Sequence, residues 1–430
     1  MDACLLALIY WDVRSLPLSR YLQRTPPPPS YGLVLKSWRC RPDRHSAKDR
    51  TLEIRQLHLS DPTRVNSGLA DAGSIEPHLV LVFGDVRFFE HAGFADALAA
   101  RFPAAVRVGC STAGEITGKG VSDGSCVITL MRFDRAQVRV ASTVLASMDD
   151  SLSAGERLAQ QLTGSGLKTG IVLAPGVGIN GSALVKGLTN VLGTEIPLAG
   201  GLAGDGGAFR RTLTLTPDGV SGDAVVAVGF YGDNLVFGHG SFGGWEPFGP
   251  SRRVTGCTGN VLHELDGEPA LSVYRSYLGE YAKDLPASGL LFPFAMVDKE
   301  RRSLGLIRTI LGIDEKTGSL ILAGDIQPEG YLQLMHANTD RLVDGAEKAA
   351  ELATQRSGAT PGLTILVSCV GRKIVMGERV DEEIEAVAAV LGKGETVTGF
   401  YSYGEISPFT PEVACELHNQ TMTVFRFAES

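Results

Sequence analysis

The chain has 430 residues, of which 44% are hydrophobic and 20% are charged, and its formal net charge is −8. This composition excludes a largely disordered protein, and the length exceeds what one hydrophobic core usually serves, so we expect two domains. The acidic balance argues against a basic face for nucleic acid, and we expect no nucleic-acid partner.

The seven cysteines are scattered and odd in number, and they form no Cys-x-x-Cys pair. That usage is typical of a reducing compartment and not of a disulfide scaffold. No apolar run reaches the roughly 18 residues that span a bilayer. The apolar start also carries an acid where a signal peptide has a base. We therefore expect a cytoplasmic protein without membrane insertion.

The first fifty residues differ from the rest of the chain. A four-proline run at 26–29 favours polyproline II and blocks helix, and a mixed polar stretch without periodicity follows it. We expect residues 1–50 to be a disordered extension. The alternative is a partner-binding tail that uses the proline run.

Three later segments share one order of predicted elements. The first predicts a strand at 79–83, a helix with regularly spaced aromatic residues at 88–102, and a closing strand at 126–131. The second predicts strands at 170–174 and 224–230 around a helix at 183–192. The third predicts strands at 363–367 and 421–425 around a helix at 381–391.

Between helix and closing strand, each segment has a small residue followed after four residues by glycine and an acid. The acids are Glu115, Asp205 and Glu405. Glycine at a strand end permits positive φ or close backbone approach. Repeated strand-helix-strand-strand units of this kind predict an α/β fold with mixed β-sheets covered by helices.

The segment at 237–338 departs from this order. It holds a loop dense in glycine, proline and aromatic residues at 240–250, a helix around 270–278, and strands at 291–297 and 304–309. We place a domain boundary near residue 235, which predicts one domain at 51–235 and a second at 236–430.

Glycine motifs occur in order at four places. They are Gly-Cys-Ser-Thr-Ala-Gly-Glu at 109–115, Gly-Gly-Leu-Ala-Gly-Asp at 200–205, Gly-Arg-Lys at 371–373 and Gly-Phe-Tyr-Ser-Tyr-Gly-Glu-Ile at 399–406. Their combination resembles the FIST family, which pairs an N-terminal with a C-terminal FIST domain. The resemblance implies a bacterial sensory input module for signal transduction, and not an enzyme.

A narrower resemblance concerns residues 416–423, which are similar to NosP-type nitric-oxide-sensing haem proteins. It implies haem b, nitric oxide as the signal, and a partner that is a histidine kinase or a cyclic-di-GMP synthase or phosphodiesterase. Haem needs an axial ligand and a dry pocket. His418 is the first candidate for that ligand, with His239 and His263 next, although a hydrogen-bonded histidine at a strand end is the ordinary alternative.

A small polar ligand such as an amino acid is the alternative signal that the FIST resemblance implies. The three acids and the basic pair Arg372 and Lys373 would bind its amine and its carboxylate. The aromatic residues Trp245, Phe248, Tyr401 and Tyr403 would suit either ligand. Each acid could instead cap a turn, and the aromatic residues could instead be core.

Cys110 raises a third alternative, a cysteine-dependent hydrolase or transferase. Against it, Gly-x-Ser-x-Gly is absent around this cysteine. The glycines at 200–207 lack the lysine of a P-loop, which excludes that phosphate-binding motif. Cys415 and His418 are spaced as half of a metal site, but the sequence offers no second pair. Cys110 therefore stays a candidate ligand-binding residue.

Overall fold

The same order of elements recurs three times along the chain. The computed structural model describes residues 52–358, 360–408 and 415–430, without the side chain of Ala287. The predicted extension at 1–50 lies outside the described residues. The first repeat consists of β1 (Leu52–Leu59), α1 (Val65–Ala70), β2 (Leu79–Gly84), α2 (Val86–Glu90), α3 (Phe94–Arg101), β3 (Val106–Ser111), β4 (Glu115–Thr117), β5 (Gly120–Ser122) and β6 (Cys126–Phe133).

The second repeat follows directly. It consists of β7 (Gln137–Val144), α4 (Ser151–Leu162), β8 (Leu167–Ala174), α5 (Gly181–Leu192), β9 (Leu198–Leu202), β10 (Thr214–Thr216), β11 (Gly219–Ser221) and β12 (Ala224–Tyr231).

The third repeat opens with β13 (Leu235–Phe242) and is then interrupted by an inserted segment, residues 243–338. The insert consists of β14 (Glu246–Thr258), β15 (Val261–Leu265), β16 (Glu268–Pro269), α6 (Ala270–Leu278), β17 (Phe294–Val297), β18 (Ser303–Arg308), β19 (Ile310–Asp314), β20 (Ser319–Leu322) and β21 (Tyr331–His336). These strands pair among themselves in an eight-stranded sheet.

The third repeat resumes after the insert. Its remaining elements are α7 (Thr339–Ser357), β22 (Leu363–Cys369), α8 (Val370–Met376), α9 (Asp381–Leu391), β23 (Thr396–Ser402), β24 (Gly404–Pro408), β25 (Cys415–His418) and β26 (Met422–Glu429). The fold is therefore mixed α/β, with several mixed sheets flanked by helices, as the sequence predicted.

Each repeat completes its sheet with a hairpin taken from another repeat. The first sheet has the order β1-β6-β2-β3-β10-β11, the second β7-β12-β8-β9-β24-β25 and the third β13-β26-β22-β23-β4-β5. In each sheet the two strands joined by the crossover helix are parallel, and the remaining pairs are antiparallel. The exchange is cyclic, because repeat one donates to three, three to two and two to one.

Three equivalent backbone hydrogen bonds join the repeats where the donated hairpins leave their own sheets. In each bond, the amide of one repeat donates to a carbonyl oxygen of another, and both donor and acceptor occupy the same positions in all three cases. The bonds are Ala113 N to Tyr401 O at 2.8 Å, Tyr403 N to Leu202 O at 3.1 Å, and Gly204 N to Ser111 O at 2.9 Å.

One hydrophobic core lies where the three sheets face one another. Phe133, Phe230 and Phe427, one from each sheet, pack together there with ring centroids 5.1–6.3 Å apart. All three rings are almost fully buried. Such aromatic contacts stabilise the core beyond the area that they bury.

The sequence pattern did not predict the first strand of each repeat, β1, β7 and β13, or the 19-residue helix α7.

The predicted equivalence of Asp205 with Glu115 and Glu405 is wrong. Pairing with the neighbouring parallel strand makes Gly200, not Ala199, the equivalent of Gly109 and Gly399. The hairpin pairing makes Thr214 the equivalent of Glu115, so Asp205 does not occupy the position of the two glutamates.

None of the helices in the described parts of the chain combines the length and the apolar character that crossing a bilayer requires.

Three equivalent glycines let the parallel strands approach. A Cβ atom on Gly109, Gly200 or Gly399 would lie 2.1, 1.9 or 2.0 Å from a carbonyl oxygen of the neighbouring strand. Backbone cannot yield as a flexible side chain can, so only glycine fits these three positions.

Gly399→Ala tests this close approach, because its methyl group would overlap the carbonyl oxygen of Leu366. We expect the free energy of unfolding to fall by about 1–3 kcal/mol, measured by urea denaturation. The matched control is Gly118→Ala, whose methyl group would meet Val397 at 3.8 Å. We expect this control to change stability by less than about 0.5 kcal/mol, and equal effects of the two variants would contradict the packing argument.

Candidate functional site

A cavity of about 490 Å³ lies beside the carboxyl ends of β8 and β9, where the insert packs on the second sheet. The crevice outside the carboxyl ends of parallel strands is where α/β sheets commonly bind ligands. The volume suits a small organic molecule. The position and size of the cavity make it the candidate functional site.

The cavity exists because the second repeat departs from the other two. Its strand-to-helix loop spans residues 175–180, whereas one residue separates β2 from α2 and none separates β22 from α8. Leu202 and Thr214 lie twelve positions apart, while their equivalents Ser111 and Glu115 lie four apart. Both extensions line the cavity. They contribute Gly176, Val177, Gly178, Ile179, Asn180, Gly207 and Phe209.

The insert forms the opposite wall of the cavity. It contributes Asn260, Pro286, Leu290, Ile310, Leu311, Ile321, Leu322, Ala323 and Gly324. Leu311 and Ile321 are 43% and 37% exposed, and Met148 on the facing side is 48% exposed. Large apolar side chains grouped at the mouth of a cavity are typical of a binding site.

The lining is poor in polar side chains. Asn180, Asn260 and Tyr403 supply polar side-chain groups, and no charged side chain lines the cavity within the described residues. Asn180 is engaged on both sides, since its Oδ1 accepts from Ala183 N at 3.0 Å and its Nδ2 donates to Asp325 Oδ1 at 2.9 Å. The site is therefore suited to an uncharged molecule.

Asp325 and Arg308 connect the insert to the repeats at this wall. The Asn180–Asp325 hydrogen bond ties the first turn of α5 to the insert. Arg308, which is almost fully buried, donates from Nε to Asp325 O at 3.0 Å and from a terminal nitrogen to Leu417 O at 3.1 Å. Burial lowers the pKa of Arg308 to about 10, although the negative charges of Glu416 and Asp325 act to raise it.

An aromatic pair forms the floor beside the second extension. The Phe209 and Tyr403 rings stack at 3.9 Å between centroids and 12° between planes. The Tyr403 hydroxyl donates to Asp205 Oδ1. Although burial opposes ionisation of Asp205, hydrogen bonds from Arg211 N, the Tyr403 hydroxyl and Arg210 N outweigh it, and the pKa of Asp205 lies below its usual value. Of the predicted ligand-binding residues, Tyr403 lines the cavity and Asp205 holds it in place.

The three candidate haem ligands do not border this cavity. His418 is fully buried, and its Nε2 lies 2.9 Å from Ser407 O. His239 is buried in β13, and burial lowers the pKa of both imidazoles to about 4, so both are neutral at pH 7. His263 lies in β15 with its ring nitrogens 2.9 and 3.1 Å from hydroxyl groups of Ser319 and Thr258.

The residues around the cavity do not fit a histidine-ligated haem. No histidine or cysteine belongs to the described part of the lining. Haem iron can also be bound by tyrosine or methionine. The Tyr403 hydroxyl is committed to Asp205, which leaves Met148 as the methionine of the lining. The haem assignment stays a prediction.

Glu115 and Glu405 cap turns at equivalent places in two repeats. Glu115 accepts from Thr112 Oγ1 at 2.5 Å and from the amide and hydroxyl of Ser125 at 3.0 and 2.6 Å. Glu405 accepts from Ser402 Oγ at 2.6 Å and from the amide and hydroxyl of Thr421. Both lie outside the cavity lining.

The remaining predicted residues form buried contacts away from the cavity. Arg372 forms an ion pair with Glu383 at 2.7 Å, with both side chains fully buried, and the Tyr401 hydroxyl donates to the same carboxylate. Trp245 donates from its indole nitrogen to a backbone carbonyl at 2.9 Å. Lys373 donates to a backbone carbonyl at 2.9 Å. The polar groups of these residues already have partners within the protein, and these contacts stabilise the fold.

Cys110 is fully buried in β3, and burial raises the pKa of its thiol well above the ordinary value. A thiol in such surroundings is a poor nucleophile, because the thiolate is the reactive form. Cys415 donates to Leu198 O at 3.4 Å. Within the described residues, no three side chains of His, Cys, Asp or Glu group as metal ligands would.

Comparison with known proteins places this geometry in a family. The FIST N domain profile matches residues 78–268, and the FIST C domain profile matches residues 270–408. Together they match well over half of the chain. The chain belongs to the FIST family. FIST domains are sensory domains of signal transduction. The closeness to NosP-type proteins stays a prediction.

An uncharacterized protein of Methanocaldococcus jannaschii is 28% identical over 210 residues. The match covers 44% of this chain and 38% of that relative, so the chain spans well under half the length of the relative that it matches. The structure of a cyanuric acid hydrolase from A. caulinodans matches 88% of this chain and 99% of its own, at 10% identity and a TM-score of 0.35. A likeness this weak carries no argument about function.

The cavity of this FIST protein lies between its two matched domains. The lining residues from Met148 to Asn260 fall within the FIST N match, and those from Pro286 to Tyr403 fall within the FIST C match. Phe209 and the loop at 175–180 were not among the residues that the sequence motifs indicated. The unequal spacing of the second repeat was the available signal, because extra residues at the end of a strand mark a specialised loop.

The buried glutamates predict a pH dependence of stability. Burial raises the pKa of Glu115 to about 7 and that of Glu405 to about 8, although hydroxyl and amide donors oppose the shift. Because these folded-state pKa values exceed those of an unfolded chain, this contribution to stability is complete below about pH 4.3 and is lost as pH rises through 7 and 8.

We expect the free energy of unfolding to fall by roughly 2 kcal/mol or more between pH 5 and pH 8.5 from this cause. Glu405→Gln cannot ionise and should lose less stability over that range, measured by urea denaturation at both pH values. Glu300→Gln, at an exposed site of the insert, is the control. Identical pH profiles for the wild type and Glu405→Gln would contradict the shifted pKa of Glu405.

Proposed function

We propose that this FIST protein is a non-enzymatic sensor that binds a small, uncharged and mainly apolar molecule in the cavity between its two domains. One observation carries the proposal: the extensions peculiar to the second repeat and the wall of the insert surround the same space. Sites at domain interfaces suit sensing, because an occupant contacts both bodies and can shift their conformational equilibrium.

The chemistry of the lining decides the ligand class. An amino acid would bring an ammonium and a carboxylate group into a space without ionised side chains, and burying an unpaired charge is costly. Glu115 and Glu405, which could have bound such groups, already accept hydrogen bonds from turn residues. Arg372 is already paired with Glu383. An amino-acid ligand is therefore the less favoured alternative.

The contacts of the insert offer a route for the signal. Asp325 joins the insert to the first turn of α5, and Arg308 joins it to β25. A molecule bound against Ile310, Leu311 and Ile321 would change how firmly this wall is held. We propose that a histidine kinase or a cyclic-di-GMP enzyme reads the change.

The fluorescent probe N-phenyl-1-naphthylamine, which is uncharged and apolar, tests the cavity. We expect saturable binding with enhanced fluorescence in the wild type. Leu311→Asp should weaken binding by about tenfold, because it places a carboxylate at an apolar mouth. Leu304→Asp is the matched control, since Leu304 is 40% exposed on the same insert and lies outside the lining.

Equal affinity of the two aspartate variants would place probe binding elsewhere and overturn the proposal. A higher melting temperature with the probe, in the wild type and in Leu304→Asp but not in Leu311→Asp, would support it independently.

Haem with nitric oxide is tested separately by a visible absorption spectrum during haem titration. A saturable Soret band that shifts with nitric oxide and disappears in His418→Ala, His239→Ala or His263→Ala would establish haem sensing through that histidine. Such a result would move the sensory site away from the cavity. Without saturable haem binding, the small-molecule proposal stands alone.

A further inference from the structure

Phe209 occupies a backbone conformation that phenylalanine rarely adopts. Its φ is 53°, in the left-handed region that favours glycine. Five non-glycine residues of the described chain have positive φ, and of these Phe209 lines the cavity. Backbone strain of this kind persists where the surrounding structure enforces it, which is often at a ligand-binding site.

Two side chains enforce the position of Phe209. Its amide donates to Asp205 Oδ1 at 2.8 Å and lies 3.2 Å from the Tyr403 hydroxyl oxygen. The same carboxylate accepts from the amides of Arg210 and Arg211, both at 2.9 Å, so the chain is fixed on the C-terminal side of Phe209 as well. The ring is therefore fixed at its backbone before any ligand arrives.

Stacking with Tyr403 determines which surface of the Phe209 ring faces the cavity. Tyr403 covers one face of Phe209, so the ring can present to the cavity only its opposite face and its edge. Tyr403 is itself backed by Gly176, where a Cβ atom would lie 2.8 Å from the tyrosine ring. The stacked pair of Phe209 and Tyr403 therefore packs against the backbone at Gly176.

An aliphatic side chain at position 209 would fill an apolar lining equally well, but it would offer no flat face for stacking. Phe209 also lies in the extension that only the second repeat carries between strand and hairpin. A flat π surface is what the extension adds to the cavity, and π surfaces favour other planar rings through offset stacking.

We propose that the cavity takes a planar aromatic molecule that stacks on Phe209. This inference rests on the proposed function, because it names the chemical class of the ligand for the same cavity. Ile310, Leu311 and Ile321 of the insert would pack on the other side of the bound ring.

The test compares 2-naphthalenemethanol with its decahydro analogue by isothermal titration calorimetry. The two share a skeleton and a hydroxyl group, but only the first is planar and aromatic. Burial of apolar surface alone predicts that the saturated compound binds at least as tightly. We expect the wild type to bind the aromatic compound about three- to tenfold more tightly.

Phe209→Leu should remove this preference while it still binds the decahydro analogue. Phe209→Trp should keep the preference, which guards against a loss caused by misfolding of the loop. Phe248→Leu is the matched control, because Phe248 is 37% exposed on the insert and lies outside the lining. We expect this control to behave as the wild type does.

Equal binding of both compounds by the wild type, or a preference that survives in Phe209→Leu, would overturn the planar-ligand inference. Failure of the wild type to bind 2-naphthalenemethanol would overturn it as well. None of these outcomes decides the proposed function, which is tested separately by N-phenyl-1-naphthylamine binding and its weakening in Leu311→Asp.

Discussion

The cyclic exchange of hairpins is the constraint on which the rest of the structure depends. No repeat finishes its own sheet: β4–β5, β10–β11 and β24–β25 each extend a sheet that another repeat began. Because a strand edge left unpaired exposes a row of unsatisfied amides and carbonyls, each sheet needs its donor in place. The three crossing hydrogen bonds and the three tight glycines allow the exchanged chains to pass close to one another.

The candidate binding cavity lies where the second and third repeats depart from the common order of elements. The second repeat has longer loops at two points, and the third is interrupted by the insert, and these departures meet at one cavity. In the first and third repeats, the first of the corresponding strand ends leads almost at once into a helix, and the second leads into the donated hairpin after a short turn. The repeated scaffold thus supplies rigidity, and the irregular additions supply a surface that can differ from one family member to another.

Several residues that looked chemically active serve the scaffold. Glu115 and Glu405 satisfy turn amides and hydroxyls, and Arg372, Glu383 and Tyr401 satisfy one another. A buried ionisable group must find partners, since an unpaired charge away from water is very costly. Glycine beside an acid therefore marks a folded turn in this protein as readily as it would mark a ligand site.

The sequence by itself determined the α/β class, most central strands and helices, the threefold repetition and the inserted segment. Hydrophobic periodicity and glycine placement are local, and they record burial directly. The pairing of each hairpin with another repeat, the strands β1, β7 and β13, and the site around Phe209 depended on the tertiary structure. Those features join residues far apart in the chain, so neither the contact between Phe209 and Tyr403 nor the cavity between 175–180 and the insert leaves a local pattern.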